Sequence, residues 1–233
     1  MKMRPTGARP SPRHRLAGAS PHVSEGTAPA SLLYTPVKLS MWLNDQYGDC
    51  VTAEEAFAKS VRVPKVFVPD SEVLAWATQN GDLNGSDLIT VLDQMRTGGF
   101  LVGGRHYADG PATSVEWTST ELLHNAIWHG PVKVGVASAQ LQSAAPESDP
   151  PPSGWFCTGF TPDSNEDHCA SLCGYGTLSW LAKGLDVAVP AGVDGSAPGY
   201  GLFTWGSIAI IDAQSMLSIV GEAWLRSPTT VVT

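Results

Sequence analysis

Hydrophobic positions in residues 50–61 recur at helical spacing, at Val51, Ala53, Ala56, Phe57 and Val61. They predict a helix that starts just behind Asp49, a good N-cap type, and ends before Pro64. Three more helices follow in the same grammar. "VPDSEVLAWATQNG" sets Val73, Leu74 and Trp76 behind a cap at Asp70 or Ser71 and stops at Gly81. "NGSDLITVLDQMRTGGF" puts Leu88, Val91, Leu92 and Met95 on one face and stops at Gly98 and Gly99, and "TSTELLHNAIWHG" starts from Ser119 or Thr120. From Pro131 the period changes to two. "PVKVGVAS" alternates Val132, Val134 and Val136 with Lys133 and Gly135, and "HCASLCGYGTLSW", "VAVPAGV" and "YGLFTWGSIAII" read as further strands. "DAQSMLSIVGEAWLR" reads as a closing helix. The order predicts an α+β protein: a mainly helical lobe over residues 31–115, then a β-rich lobe with a C-terminal helix over 116–233.

Composition fits this picture and adds an asymmetry of charge. With 233 residues, 24 Gly, 18 Pro and 15% charged side chains, the chain suits a loop-rich globular protein with a sizeable core. Residues 1–25 carry Lys2, Arg4, Arg9, Arg13 and Arg15 against the single acid Glu25, which leaves nine bases and 21 acids in the body, net −12. Such a body is unsuited to nucleic acid. Residues 1–30 read as a flexible, basic, Pro-rich tail, solvated or available to a virion or assembly partner. No apolar run there could form the core of a signal peptide and no later run reaches membrane-spanning length, so a cytoplasmic or virion-associated location away from membranes is expected. Cys50, Cys157, Cys169 and Cys173 form no CxxC pair and are expected as free thiols. No cofactor is expected, and a zinc site at Cys169, Cys173 and His168 lacks a fourth ligand.

Candidate chemistry centres on "NDQYGDCVTAEEAFA", residues 44–58. A thiol attacks as its thiolate, and the unpaired N–H groups at a helix N-terminus lower its pKa; Cys50 occupies that position. Among candidate bases, His14 and His22 lie in the tail, and His124 and His129 decorate a helix. His168 stands between the acidic loop "DSNED" and an apolar strand, where a side chain can face a cleft.

Four segments, in order, resemble the papain-like cysteine peptidases. "NDQYGDCVTAEEAFA" is similar to that family's nucleophile turn and helix, "LNGSDLITVLDQMRTGG" to its Asn-Gly-Gly segment, "ELLHNAIWHGPVKVGVAS" to its Gly-Pro-Val strand, and "DHCASLCGYG" to its Asp-His-Ala strand. The likeness spans about residues 40–206. It implies a two-lobe fold with a cleft between a helical lobe and an antiparallel β-sheet or barrel lobe. Cys50 is then the nucleophile and His168 the base. The amide that helps hold the oxyanion falls on Asn44 in strict register, with Gln46 as the alternative. The family's Asn before Trp-Gly is replaced: "LFTWG" offers Phe203 without a gap or Thr204 with a shift of one. Gly85 and Ser86 stand for the two glycines that meet an extended peptide. Val132 and Cys169 line the side-chain pocket, and Trp205 packs over the site. Since only about 40 residues precede the turn, no long inhibitory prosegment is expected.

Three functional readings follow. The first is a hydrolase of peptide or amide bonds working through an acyl-thioester on a peptide or protein substrate. The second is a catalytically weak or inactive papain-fold protein of phage or bacterial type, structural or virion-associated. The third is a transglutaminase-like acyl transferase, which shares the Cys-His pair and differs in the acceptor.

Overall fold

The structure, a computed structural model, describes residues 3–232. Lys2 of the basic segment lies outside the described residues. The described chain opens with strand β1 (Ala8–Arg9), helix α1 (Arg13–Gly18) and strand β2 (Leu32–Leu33). The first lobe holds α2 (Cys50–Val61), α3 (Asp70–Asn80), β3 (Ser86–Asp87), α4 (Leu88–Thr97), β4 (Phe100–Val102) and β5 (Arg105–Asp109), after which β6 (Ala112–Ser114) joins the sheet of the second lobe. The second lobe adds α5 (Thr120–His129), β7 (Val132–Ala137), α6 (Ala139–Ala144), β8 (Phe156–Cys157), β9 (Glu166–Thr177) and α7 (Leu178–Gly184). The chain ends with β10 (Pro198–Thr204), β11 (Ser207–Asp212), α8 (Ala213–Ile219), β12 (Val220–Arg226) and β13 (Thr229–Val232).

The four expected helices form, with caps of the expected kind at two of them. Ser119 Oγ accepts the Leu122 N–H, and Asp87 accepts the Thr90 N–H ahead of α4. Gly81, in the left-handed conformation at φ 80°, closes α3. Asp49 takes the N-cap position of α2 but makes no side-chain cap. The largest sheet runs β6-β12-β7-β9-β10-β11-β8, with β2 also on β9; β6 and β8 end it, so it stays open and does not close into a barrel.

Three expected elements are different. The strand in "HCASLCGYGTLSW" ends at Thr177, whose side chain caps α7 by accepting the Trp180 N–H, so residues 178–180 are helical. "VAVPAGV" is a loop: Val187, Val189 and Val193 pack against Leu178, Leu181 and Ile210, so their alternation serves a helix-covered patch and pairs with no strand. The closing helix stops at Ile219. Beyond it Ala223 and Leu225 face the core of the second lobe while Trp224 faces the first, the period of a strand, and β12 lies between β6 and β7. β13 then returns to the first lobe and pairs with β5.

Helix α2 is buried along its whole length, polar residues included. Its Glu54 and Glu55 meet Lys133 of β7 and Arg226 of β12: Lys133 Nζ lies 3.0 Å from Glu54 and 2.7 Å from Glu55, and donates to the Val51 carbonyl at 2.7 Å. Arg226 Nε is 3.2 Å from Glu55, and Lys59 pairs with Asp109. This network binds the lobes together beneath the start of α2.

A second buried acidic contact is not balanced in this way. Glu166 of β9 lies beside Glu222 of β12, which accepts the Ser11 N–H at 2.9 Å and the Trp224 indole N–H at 2.6 Å. Burial, then the neighbouring Glu222 carboxyl, push Glu166 up to about 9. The folded protein therefore holds a proton that the unfolded chain releases near pH 4–5, and stability falls as pH rises from there toward 9. Between pH 5 and 9 the Tm is expected to drop by at least about 3 °C, on the order of 1 kcal/mol. Glu166→Gln, followed by thermal unfolding across that range, flattens the profile; an unchanged slope contradicts this assignment.

Candidate active site

Cys50 is the first residue of α2, which packs on β9, the strand that carries His168. Both side chains are buried, Cys50 at 2% and His168 at 1% exposure. What covers the sulfur is the chain's own N-terminal segment. Gly7 donates its N–H to the Asp167 carbonyl on one lobe and accepts from the Ser86 N–H on the other, each at 3.0 Å. β1 runs parallel to β3, with Ala8 opposite Ser86. Arg9 reaches the Gly85 carbonyl, and Ser11 receives the Ile89 N–H at 3.3 Å while bonding Glu222. Residues 4–11, expected as part of a flexible tail, thus form a strap across the cleft. Ala8 joins Cys50 and Cys169 in one apolar cluster.

Under this cover neither side chain carries a charge. Burial pushes the Cys50 thiol up to about 12; the backbone N–H groups of Cys169, Gly7 and Ala8 that favour a thiolate do not offset it, and the Asp49 carboxyl adds to the rise. Burial likewise pushes His168 down to about 3. Asp49, buried beside the sulfur, is raised to about 7 by burial and held back in part by the Asn44 amide.

His168 is oriented by two contacts. Its Nε2 lies 2.8 Å from Thr204 Oγ1, and its ring stacks on Trp205 with centroids 4.6 Å apart. Its Nδ1 is buried and has no hydrogen-bond partner among the described residues. The choice between Phe203 and Thr204 follows from strand alternation: Phe203 points to the other face of β10 and stacks on Phe57 at 4.0 Å, which leaves Thr204 toward the imidazole. Asp167 turns away from the ring, and its carboxylate accepts the Ser138 N–H and hydroxyl.

The remaining candidates separate clearly. Asn44 is buried near the start of α2 and donates to the Tyr47 carbonyl at 3.1 Å, whereas Gln46 is exposed, beside Asp45 and Asp70 on an outer depression. Gly85 and Ser86 hold the strap through backbone groups. Cys169 lies at the sulfur of Cys50. Val132 does not line the cleft. It pairs with Leu172 and faces the core of the second lobe, and the neighbour that looks toward the first lobe is Lys133.

No protein-family model matches the sequence, and no curated protein does. Solved structures do match. A digestive procathepsin L 3 from the Tenebrio molitor larval midgut superposes with a TM-score of 0.62 at 12% identity, over 90% of this chain and 73% of the other. The proform of a cysteine protease that is a major ragweed pollen allergen gives 0.61 at 13%, over 93% and 72%. The cysteine protease CMS1MS2 of Carica candamarcensis, in complex with E-64, gives 0.55 at 14%, over 86% and 99%. The chain has the papain-like fold.

Proposed function

We propose that this chain is a cysteine hydrolase of peptide or amide bonds, held latent by residues 4–11. The observation that carries the reading is the strap itself: the cleft already holds an extended peptide at the Cys50 sulfur by its backbone, with groups from both lobes. The papain-like fold, shared with solved cysteine proteases, supports a thiol hydrolase.

Once the strap leaves, water returns to the sulfur and the imidazole, and the burial that keeps both neutral is relieved. With Nε2–H donating to Thr204, the free Nδ1 takes the thiol proton. The thiolate attacks the substrate carbonyl carbon, and the oxyanion is held by the Cys50 N–H and by Asn44 Nδ2, which gives up its bond to the Tyr47 carbonyl to do so. His168 then passes its proton to the leaving amine as the C–N bond breaks, which leaves an acyl-thioester. A water gives its proton to His168 and attacks the thioester, and the sulfur departs and regains that proton. The strap itself survives because its Gly7 carbonyl is held by the Ser86 N–H and not by the oxyanion donors.

The test is to incubate the full chain carrying Gly7→Ala, in which a methyl group clashing with the Gly48 carbonyl lifts the strap, with a peptide p-nitrophenyl ester, quench in acid and map the adducts. An acyl group on Cys50 supports the hydrolase. No adduct, or adducts spread over Cys157, Cys169 and Cys173, supports the catalytically inactive structural reading, which the threonine in the orienting position favours. Product bearing an added amine marks acyl transfer. Thr204→Val removes one neutral hydrogen bond to the ring and is expected to lower turnover of the adduct roughly fivefold to tenfold, with substrate binding unchanged.

A further inference from the structure

Arg4 is the most thoroughly enclosed charge of the strap, its side chain 2% exposed. Its Nη2 donates to the Pro146 and Ser148 carbonyls at 2.8 and 2.9 Å, and its Nε lies 3.8 Å from Asp149. The guanidinium sits over the Trp205 ring, 5.3 Å from its centre, and Gln142 brackets the residue's backbone, accepting from its N–H at 2.8 Å and donating to its carbonyl at 3.3 Å. Both carbonyls accept from the one Nη2, while the rest of the flat guanidinium lies over the indole and beside the Asp149 carboxylate; a lysine ammonium, a compact point charge, can reach the carbonyls but does not cover the ring and the carboxylate at the same time. The site lies on the Trp205 side of His168, at the opposite end of the strap from Gly85 and Ser86.

We infer that this pocket is an arginine subsite of the cleft, and that the ligand it selects is a peptide whose arginine takes the place of Arg4 when the strap leaves. None of its contacts depends on Arg4 belonging to the same chain. The assignment of this end to the leaving-group half rests on the hydrolase reading, since His168 protonates the leaving amine; the pocket itself does not.

The test uses the full chain carrying Arg4→Ala and two probes, acetyl-Ala-Ala-Arg-Ala-Ala-amide and its lysine counterpart, in titration calorimetry. The Arg4→Ala protein is expected to bind the arginine peptide at least about tenfold tighter than the lysine peptide, because the planar guanidinium covers the indole beside Asp149 while keeping both carbonyl contacts. Adding Asp149→Asn should bring the ratio within about twofold, and the unaltered chain, its pocket filled, should bind neither. Equal binding of both peptides, or of neither, by Arg4→Ala overturns the inference. Should Arg4→Ala not fold, Arg4→Lys takes its place, with N-ethylguanidine as a second probe: it should raise the Tm of the variant and not of the unaltered chain, and no rise overturns the inference. Neither readout involves cleavage. Loss of the subsite leaves the Cys50 chemistry standing, and absence of an acyl adduct leaves the subsite standing.

Discussion

Gly7→Ala is expected to raise the rate of alkylation of Cys50 about 100-fold. A methyl group at position 7 would overlap the Gly48 carbonyl, a backbone group at the turn into α2 that cannot rotate aside. Overpacking of this kind costs about 1–3 kcal/mol, and the rigid neighbour argues for the upper end. The strap's hold on the cleft is a local equilibrium, and a buried thiol reacts through its open state, so that cost appears directly as a larger open fraction. Iodoacetamide labelling followed by peptide mapping checks it. Cys157, buried in the core of the second lobe, should label no faster than in the unaltered chain, which separates release of the strap from general loosening; Cys169, beside the Cys50 sulfur, is uncovered with it. Equal Cys50 rates in both proteins contradict the strap as the cover.

The second large effect is on stability. Lys133→Met is expected to cost about 3–5 kcal/mol, the usual result of removing one partner from a buried charge network, and to lower the Tm by roughly 10 °C. Burial disfavours the Lys133 charge, yet the Glu55 and Glu54 carboxylates hold its pKa above the ordinary lysine value. In turn burial would raise Glu55, and Arg226, Lys133 and Lys59 hold it down to about 2. A carboxylate lowered in the fold adds stability above its unfolded pKa and loses it as pH falls toward 2. The variant should therefore also be less sensitive to acid than the parent over that range. Thermal and urea unfolding at pH 7 and pH 3 measure both effects; a Tm within about 2 °C of the parent contradicts the network's role.

Much of the frame was legible in the order of the residues. The stripe behind Asp49 marks the nucleophile helix, and the alternation after Pro131 marks the second lobe. Thr204 was one of two candidates for the imidazole, and the alternation of β10 decides between them by sending Phe203 into the ring stack with Phe57. Three features were hidden, each for a physical reason. The strap was read as a solvated tail because it docks through Gly7 backbone groups and a guanidinium, which leave no hydrophobic pattern to read. The burial of Lys133 was not legible because a lysine is rarely buried, and only the acids of α2, distant in sequence, make it tolerable. Val132, expected in the side-chain pocket, therefore lies on the opposite face, in the core of the second lobe. The chain after Ile219 carries enough apolar residues for a helix, and only their period, with Ala223 and Leu225 on one side and Trp224 on the other, marks a strand.

The claim on which the functional account stands is that an uncovered sulfur at position 50 shares its proton with the imidazole at position 168. The pH dependence of alkylation at that sulfur, measured in Gly7→Ala and in Gly7→Ala with His168→Ala, tests this most directly. The account predicts a rate that stays high down to about pH 5–6 in the first protein and falls about tenfold per pH unit below pH 8.5 in the second, as for an ordinary thiol. The same steep fall in both proteins would contradict it.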